Sequence, residues 1–295
     1  MKKIFSLLAL TLFSGIVFSQ TENWPKTLLW KVTGNDLKKP TYIFGTMHIL
    51  CADDAGLSGD LKNVIASCDE VYFEIDMSDM MGMMNSMKYM RMNDNKKLSD
   101  LLSAEDYAKV KNYFTKHSSM IPFGMLERFK PMLISGLIEE EDLPCKTTNG
   151  MEMVIMKEAR EKNKKMNGLE TAEFQASIFD SIPYKDQAED LLKYIDSSDD
   201  YKKMTDTLSE AYKEQDLNKI EMLTAKETGA TSNFMDLMLY GRNRNWVNKL
   251  KKLMPEKSLL IAVGAGHLPG EQGVLKLLKK NGYTVTPVML MGKEM

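Results

Sequence analysis

The sequence predicts an α/β fold, in which a central, mostly parallel sheet is built from N- and C-terminal βα halves with a large helical insertion between them. The pattern G-x-x-H directly follows an apolar run twice, at residues 45–48 and at residues 264–267. The segment between them, from about residue 77 to 254, has mostly helical periodicity. Because the chain contains three histidines, two of them in matching contexts indicate two halves of one site.

The first elements predict a hairpin followed by a parallel βαβ unit. Two apolar runs, residues 28–32 and 41–44, flank the turn-rich residues 34–40, which is typical of a β-hairpin. Apolar residues between 57 and 65 then recur at helical spacing, and residues 70–76 form a short apolar strand. A strand, a helix and a second strand in this order favour parallel pairing.

The helical middle and the last strands complete the predicted fold. Ser103 is a typical cap for a helix that begins with acidic residues. A short strand is predicted at residues 165–170, and the C-terminal pattern predicts a strand at 259–263, a helix at 273–280 and a strand at 283–288. The remaining predicted helices cover residues 123–139, 151–163, 172–180, 185–196, 201–215 and 232–253.

The N-terminal segment predicts export. Residues 1–20 combine a short basic region, an apolar stretch and a small-residue cleavage site, which together indicate a secretory signal peptide. Residues 21–295 are interpreted as a single domain, with sheet halves at 21–76 and 255–295 and a helical middle at about 77–254. No later run approaches the roughly 20 apolar residues that a membrane span requires. We therefore expect a periplasmic or secreted protein with no membrane span in the mature chain.

The charge balance and the cysteines narrow the function classes. The net charge is −2, from 39 basic and 41 acidic residues without a basic block, so we expect no nucleic-acid partner. Two cysteine states are left open: a Cys51–Cys68 disulfide across the helix that follows the first motif, with Cys145 alone, or three buried free thiols. The cysteine spacing does not match a zinc ribbon.

The two G-x-x-H histidines, His48 and His267, are the first candidates for chemistry. Each is expected at the carboxyl end of a parallel strand, where open α/β sheets bind ligands, and Glu74 ends a neighbouring strand. Two imidazoles and one carboxylate make a three-ligand set that leaves positions for water and suits zinc, manganese, cobalt or iron. The alternatives are hydrogen-bonding core histidines and a solvent-facing glutamate.

Three further features carry weaker signals. Glu170 ends a strand as a second carboxylate, although acids are also common at helix N-termini. Arg242, near the start of a long helix, is either solvated or orients a carboxylate or a developing oxyanion. Eight methionines lie between residues 77 and 92. We interpret them as a core helix, with an apolar groove for a peptide or lipid-like substrate and a Cu(I) site as alternatives.

Several of these segments together resemble the TraB/GumN family, which groups with the PrgY proteins and the Tiki metalloproteases. The resemblance covers essentially the whole mature chain in the right order, although the methionine-rich stretch departs from the family pattern. The wider superfamily resembles erythromycin esterases and the haem-binding ChaN proteins. The segments that carry the resemblance are residues 43–48, the strand of Glu74, residues 168–171 with Gln175, Arg242 with Asn243, and residues 263–270.

The resemblance implies a metal-dependent hydrolase, specifically a Tiki-like peptidase. Its metal ligands correspond to His48, His267 and Glu74, and the implied cofactor is a divalent ion such as manganese, cobalt or zinc. Glu74 or Glu170 is then the general base, and Arg242 steadies the oxyanion, as the esterase relatives imply. We expect a peptide or small-molecule substrate. The alternatives are a metal-independent, esterase-like hydrolase and a non-catalytic protein that binds a pheromone-like peptide or haem.

Overall fold

The computed structural model describes residues 23–117, 121–227 and 232–290, and the segment interpreted as a signal peptide lies outside the described residues. The described chain is built around one six-stranded sheet. Its strands are β1 (Leu29–Thr33), β2 (Thr41–Thr46), β3 (Glu70–Ile75), β4 (Lys165–Glu170), β5 (Leu259–Gly264) and β6 (Thr284–Val288).

Four parallel strands form the part of the sheet that positions the candidate site. The strand order is β4-β3-β5-β2-β1-β6. β5 pairs in parallel with β2 and with β3, which in turn pairs in parallel with β4, whereas β1 is antiparallel to β2 and β6. Residues 259–263 of β5 are all buried, as expected for a central strand covered on both faces. The predicted α/β fold with a mostly parallel sheet is confirmed.

The helices lie mainly between β3 and β5, as predicted for the insertion. The predicted cap of the helix that begins at Ala104 is present, because the Ser103 side chain accepts a hydrogen bond from the backbone N–H of Asp106. The helices are α1 (Gly59–Ser67), α2 (Met80–Ser86), α3 (Ala104–Lys116), α4 (Phe123–Leu126), α5 (Pro131–Glu141), α6 (Met151–Glu161), α7 (Ala172–Ile178), α8 (Tyr184–Asp196), α9 (Ser198–Lys213), α10 (Leu217–Glu227), α11 (Ser232–Met235), α12 (Gly241–Leu253) and α13 (Val274–Lys280).

Three helical segments differ from the sequence prediction. The helix predicted over 123–139 is two helices, α4 and α5. Lys130 has an extended conformation there, with ψ 128°, because a residue before proline disfavours the helical region. The long helix predicted over 232–253 contains a π-helical turn at Asp236–Tyr240. α10 is absent from the helices predicted from the sequence.

The methionine-rich segment is on the surface, so its interpretation as a core helix is wrong. In α2, Met80 is 70% exposed and Met84 is 65% exposed. Helical spacing places such residues on one face, but it does not say whether another element covers that face. Two methionines of the segment are exceptions: Met92 is buried, and the partly buried Met77, which precedes α2, packs against the main core.

The cysteines match neither of the two states that the sequence left open, the Cys51–Cys68 disulfide or three free thiols. Cys51 is bonded to Cys145, 94 residues away, with 5.6 Å between their Cα atoms. The loop after α5 runs beside the first G-x-x-H motif, where Ala52 N donates to Thr147 O, and it brings Cys145 within reach. Cys68 is a buried free thiol at the end of α1.

Two hydrophobic cores support this arrangement. The main core surrounds the sheet, with Trp30 and Trp246 among its largest buried side chains. The second core lies within the insertion and joins α3, α4, α5 and α8, with Phe114 and Ile134 among its members. Among the described residues, no helix is both long and apolar enough to cross a membrane.

Candidate active site

The two G-x-x-H motifs follow adjacent parallel strands. In the register of β2 and β5, Thr46 lies opposite Gly264, so both segments leave the sheet at the same edge. A β-carbon added at Gly45 would lie 3.1 Å from that of Ala265, and one added at Gly264 would lie 3.2 Å from Glu74 Oε1. The glycines of the two motifs therefore allow a close approach that larger residues would disturb.

Glu74 lies between the two histidines. Its Oε1 is 3.8 Å from His48 Nε2 and 3.8 Å from His267 Nε2, and it accepts a hydrogen bond from the backbone N–H of Gly264 at 2.9 Å. Because both Nε2 atoms lie 3.8 Å from Glu74 Oε1, the distance between them is at most twice 3.8 Å. Two histidines far apart in sequence therefore face one cleft.

Each histidine ring is positioned by a partner at its Nδ1 atom, while its Nε2 atom faces Glu74. His267 Nδ1 lies 2.6 Å from Oδ1 of Asn243, whose Nδ2 donates to the carbonyl of Gln272 at 2.9 Å. That second bond fixes the amide orientation, so Nδ1 carries the proton and Nε2 the lone pair. His48 Nδ1 lies 2.7 Å from Glu152 Oε1 as an ion pair, although no donor among the described residues is aligned with that oxygen. A carboxylate or amide behind an imidazole is typical of metal-binding histidines.

Arg242 connects the two carboxylates. Its Nη2 donates to Glu74 Oε2 and to Glu170 Oε1 at 2.5 Å each, and its Nε donates to Glu170 Oε1 at 2.9 Å. Its Nη1 donates to the carbonyl of Met238 and lies 3.2 Å from His267 Nε2. The side chains of Arg242, Glu74 and Glu170 are only 6–7% exposed. The structure thus brings all of the sequence-predicted site residues into one network.

Two more side chains hold the carboxylates in place. Gln175 Nε2 donates to Glu74 Oε2 at 2.9 Å and to Glu170 Oε1 at 3.3 Å. Trp246 Nε1 donates to Glu170 Oε2 at 3.1 Å, and its ring packs against that of His267 with 4.4 Å between the centroids. Each oxygen of the two glutamates therefore accepts at least one hydrogen bond.

The charges of the site are set by burial and by these contacts. Burial lowers the pKa of His267 to about 3, against the attraction of Glu74, so its ring is neutral at pH 7. Burial opposes the charged form of Glu74, but His267, Arg242 and His48 together lower its pKa to about 2. Since His267 is neutral at pH 7, Arg242 supplies the permanent positive charge. Burial raises the pKa of Glu170, while Arg242 opposes the rise.

His48 differs from His267 in its surroundings. Desolvation lowers its pKa, but the contact with Glu152 and the charges of Glu152 and Glu74 outweigh that effect and raise the pKa to about 9. The side chain is 60% exposed, so solvent moderates the rise. The two carboxylates therefore attract a positive charge to this side of the cleft.

The three donor atoms are of types that bind divalent ions, but they lie farther apart than the ligands of a metal site. His267 Nε2, His48 Nε2 and Glu74 Oε1 converge, and both rings are oriented from behind. Ligands at 2.0–2.1 Å in a tetrahedral site lie about 3.4 Å apart, closer than the 3.8 Å between Glu74 Oε1 and each Nε2. Within the described ranges no group of three or more His, Cys, Asp or Glu has the arrangement of a finished metal site. Binding therefore requires the three donors to move closer together and Arg242 Nη1 to withdraw from His267.

Glu152 is the site residue that the sequence prediction missed. It lies on α6, inside the insertion, and no motif surrounds it. The available signal was weak, namely an acidic residue in the first turn of a helix, which is usually solvent-exposed. Here it is 5% exposed, because α6 packs beside the first G-x-x-H motif and Met151 N donates to Met47 O.

Comparison with known proteins finds a family and distant relatives. The chain is 22% identical to the Danio rerio protein "Metalloprotease TIKI2", over 88% of this chain and 60% of that protein. It is 23% identical to the Amphimedon queenslandica "Metalloprotease TIKI homolog" (87% and 60%) and to the Homo sapiens "Metalloprotease TIKI1" (88% and 61%). The chain thus spans about 60% of the length of these relatives. No solved structure matches it.

The family match covers nearly all of the described residues. The TraB/PrgY/gumN family pattern matches residues 28–287, which extend from β1 to β6 and include both histidines and both glutamates of the site. The resemblance inferred from the sequence motifs is therefore confirmed, and the chain belongs to the TraB/PrgY/gumN family.

Proposed function

We propose that this protein is an exported, metal-dependent hydrolase that cleaves peptides. The observation that carries the proposal is the convergence of His48 Nε2 and His267 Nε2 on Glu74 Oε1, at 3.8 Å each. The relatives named metalloproteases add support. Metal-binding histidines almost always have a partner at the second ring nitrogen, and here His267 Nδ1 donates to Asn243, while His48 Nδ1 forms an ion pair with Glu152.

The ion, manganese, cobalt or zinc, would be held by His48, His267 and Glu74. A divalent ion in such a site supplies Lewis acidity, which polarises a carbonyl and acidifies water. Once His48 is neutral, the carboxylates of Glu74 and Glu152 beside it would face the ion in place of a protonated ring. The ion would replace the proton that the two carboxylates hold on His48.

Arg242 and Glu170 are proposed to act on the reacting groups. Arg242 Nη1 faces His267 Nε2 at 3.2 Å, so this N–H becomes free for a developing oxyanion when that lone pair takes another partner. Of the two glutamates proposed as the general base, Glu74 has a pKa of about 2 and is the weaker base. Burial raises the pKa of Glu170, so we assign proton acceptance to Glu170.

A metal-independent hydrolase is the second candidate, and one observation favours it. The guanidinium of Arg242 already contacts Glu74 and His267, so it fills part of the space that an ion would use. In this version, His48 accepts a proton from water only in its deprotonated form, while Glu152 and Glu74 orient its ring, so activity would rise as the pH approaches the pKa of about 9. Activity that survives exhaustive chelation would support this second candidate and contradict the first.

A peptide-library digestion tests the proposal. We expect the purified protein to cleave a subset of peptides, to lose cleavage after chelation and to regain it with one of the three ions. His48→Ala and His267→Ala are expected to lose activity, whereas His117→Ala, which changes an exposed histidine outside the site, is expected to retain it. Absence of cleavage with every ion, in protein shown to be folded, would contradict the proposed function.

Export is supported by the Cys51–Cys145 disulfide, because disulfides persist in oxidising compartments. We expect the protein recovered from the periplasm or the medium to begin at about residue 21, where N-terminal sequencing detects cleavage of the signal peptide. Protein that remains in the cytoplasm and still begins at Met1 would contradict export.

A further inference from the structure

A cavity of about 260 Å³ opens beside His48 and Glu74. It lies on the side of the cleft formed by the end of β3 and the start of α6. The polar side chains that line it all belong to the candidate site, namely His48, Glu74, Glu152 and Gln175. The apolar side chains of its wall are Phe73, Ile75, Met77 and Met153.

The charged groups of the cavity already have partners. Glu74 is paired with Arg242, and Glu152 with His48. A charged side chain that entered would lose its hydration without gaining a free counter-charge, which is costly. An apolar side chain would instead bury its surface against the wall and release water.

We propose that this cavity binds an apolar side chain of the substrate peptide, next to the bond that is cleaved. The inference rests on the proposed hydrolase function and adds the substrate class to it. An apolar cavity of about 150 Å³ is large enough to hold benzene, so this cavity accommodates Leu, Met or Phe. Met153 is 48% exposed and stands at the mouth, where its flexible thioether adapts to side chains of different shape.

The position of the cavity ties it to the chemistry. Met153 directly follows Glu152, the residue that contacts His48, and Phe73 directly precedes Glu74 in β3. A side chain seated against these residues therefore places its own backbone beside the candidate site. Binding energy gained there positions the peptide bond for attack.

Cleavage of matched peptides tests this specificity. The peptides differ only in the residue beside the cleaved bond, which is Leu or Met in one set and Asn or Asp in the other. Burial of one such apolar side chain corresponds to a preference of roughly 10- to 100-fold in kcat/KM. Met153→Asp is expected to lose most of that preference, whereas Met222→Asp, at a 62% exposed methionine of α10, is expected to keep it.

A binding measurement separates this inference from the proposed function. In protein labelled with ¹³C at the methionine methyl groups, the resonances of Met77 and Met153, assigned with Met→Leu variants, are followed by NMR. We expect N-acetyl-leucinamide to shift both resonances saturably and the corresponding aspartate amide to leave them unchanged. These shifts without any hydrolysis would support the cavity and contradict the peptidase. Hydrolysis without side-chain preference, or the absence of shifts at both methionines, would overturn the inference.

Discussion

Replacement of Arg242 by methionine is expected to be one of the most destabilising single substitutions in the site. The guanidinium faces two carboxylates, Glu74 and Glu170, and all three side chains are buried. Methionine keeps an unbranched apolar stem but removes every one of these hydrogen bonds. Two buried carboxylates would then lie close together, with Gln175 as a common donor.

The size of the effect follows from the lost charge. Removal of one partner from a buried ion pair costs about 3–5 kcal/mol, and here one cation serves two anions, so we expect a loss at the upper end of that range. The pKa of Glu74, lowered to about 2 from an ordinary 4.5, corresponds to about 3 kcal/mol of stability at pH 7. At pH 7, Arg242 and the protonated His48 supply the positive charge behind it, because the ring of His267 is neutral there.

The pH dependence gives a second check on the same variant. Because the folded-state pKa of Glu74 is depressed, its contribution is present above pH 4.5 and is lost as the pH falls toward 2. The difference in stability between the wild type and Arg242→Met should therefore be largest near neutral pH and shrink below about pH 4.5.

Urea denaturation in the presence of a chelator measures the free energy of unfolding. The matched control is Arg244→Met, because Arg244 pairs with Asp236 on the surface, where both side chains are about half exposed. Exposed pairs contribute about 0–1 kcal/mol. A loss for Arg242→Met that is no larger than the loss for Arg244→Met would refute the account of the buried network.

Three further predictions concern the fold around the site. Peptide mapping without reduction should recover Cys51 linked to Cys145, and a Cys51–Cys68 peptide would contradict the described packing. Burial raises the pKa of the Cys68 thiol to about 11, so thiol reagents should label the folded protein far more slowly than the unfolded protein at pH 8. Gly264→Ala should destabilise the protein by about 1–3 kcal/mol, whereas Gly124→Ala, which meets open space, should not; equal unfolding midpoints would contradict this.

The strand-end residues were predictable because burial of the parallel strands dominates the local pattern. The apolar run of β5 and its G-x-x-H are continuous in sequence, and its pairing with β2 brings His267 and His48 to one edge. Glu74 follows from the same argument at the end of β3. Where a strand is buried on both faces, its carboxyl end identifies the site edge without knowledge of the remaining fold.

The remaining features depend on contacts between distant elements, which local patterns do not encode. Glu152 is recruited by the packing of α6, and Cys145 by a loop beside the first motif. The helical spacing of Met80 and Met84 predicted a shared face, but the exposure of that face depends on whether another element covers it. Local periodicity identifies faces, whereas tertiary packing decides which of them are buried.

Metal binding by the purified protein tests the central claim most directly. Isothermal titration of chelated and dialysed protein with manganese, cobalt or zinc ions should show stoichiometric binding of at least one of them. The His48→Ala/His267→Ala double variant should lose that binding, and His117→Ala should keep it, with folding of all three proteins checked by circular dichroism. Absence of binding with every ion, or undiminished binding in the double variant, would contradict the assignment of the two histidines to a metal site.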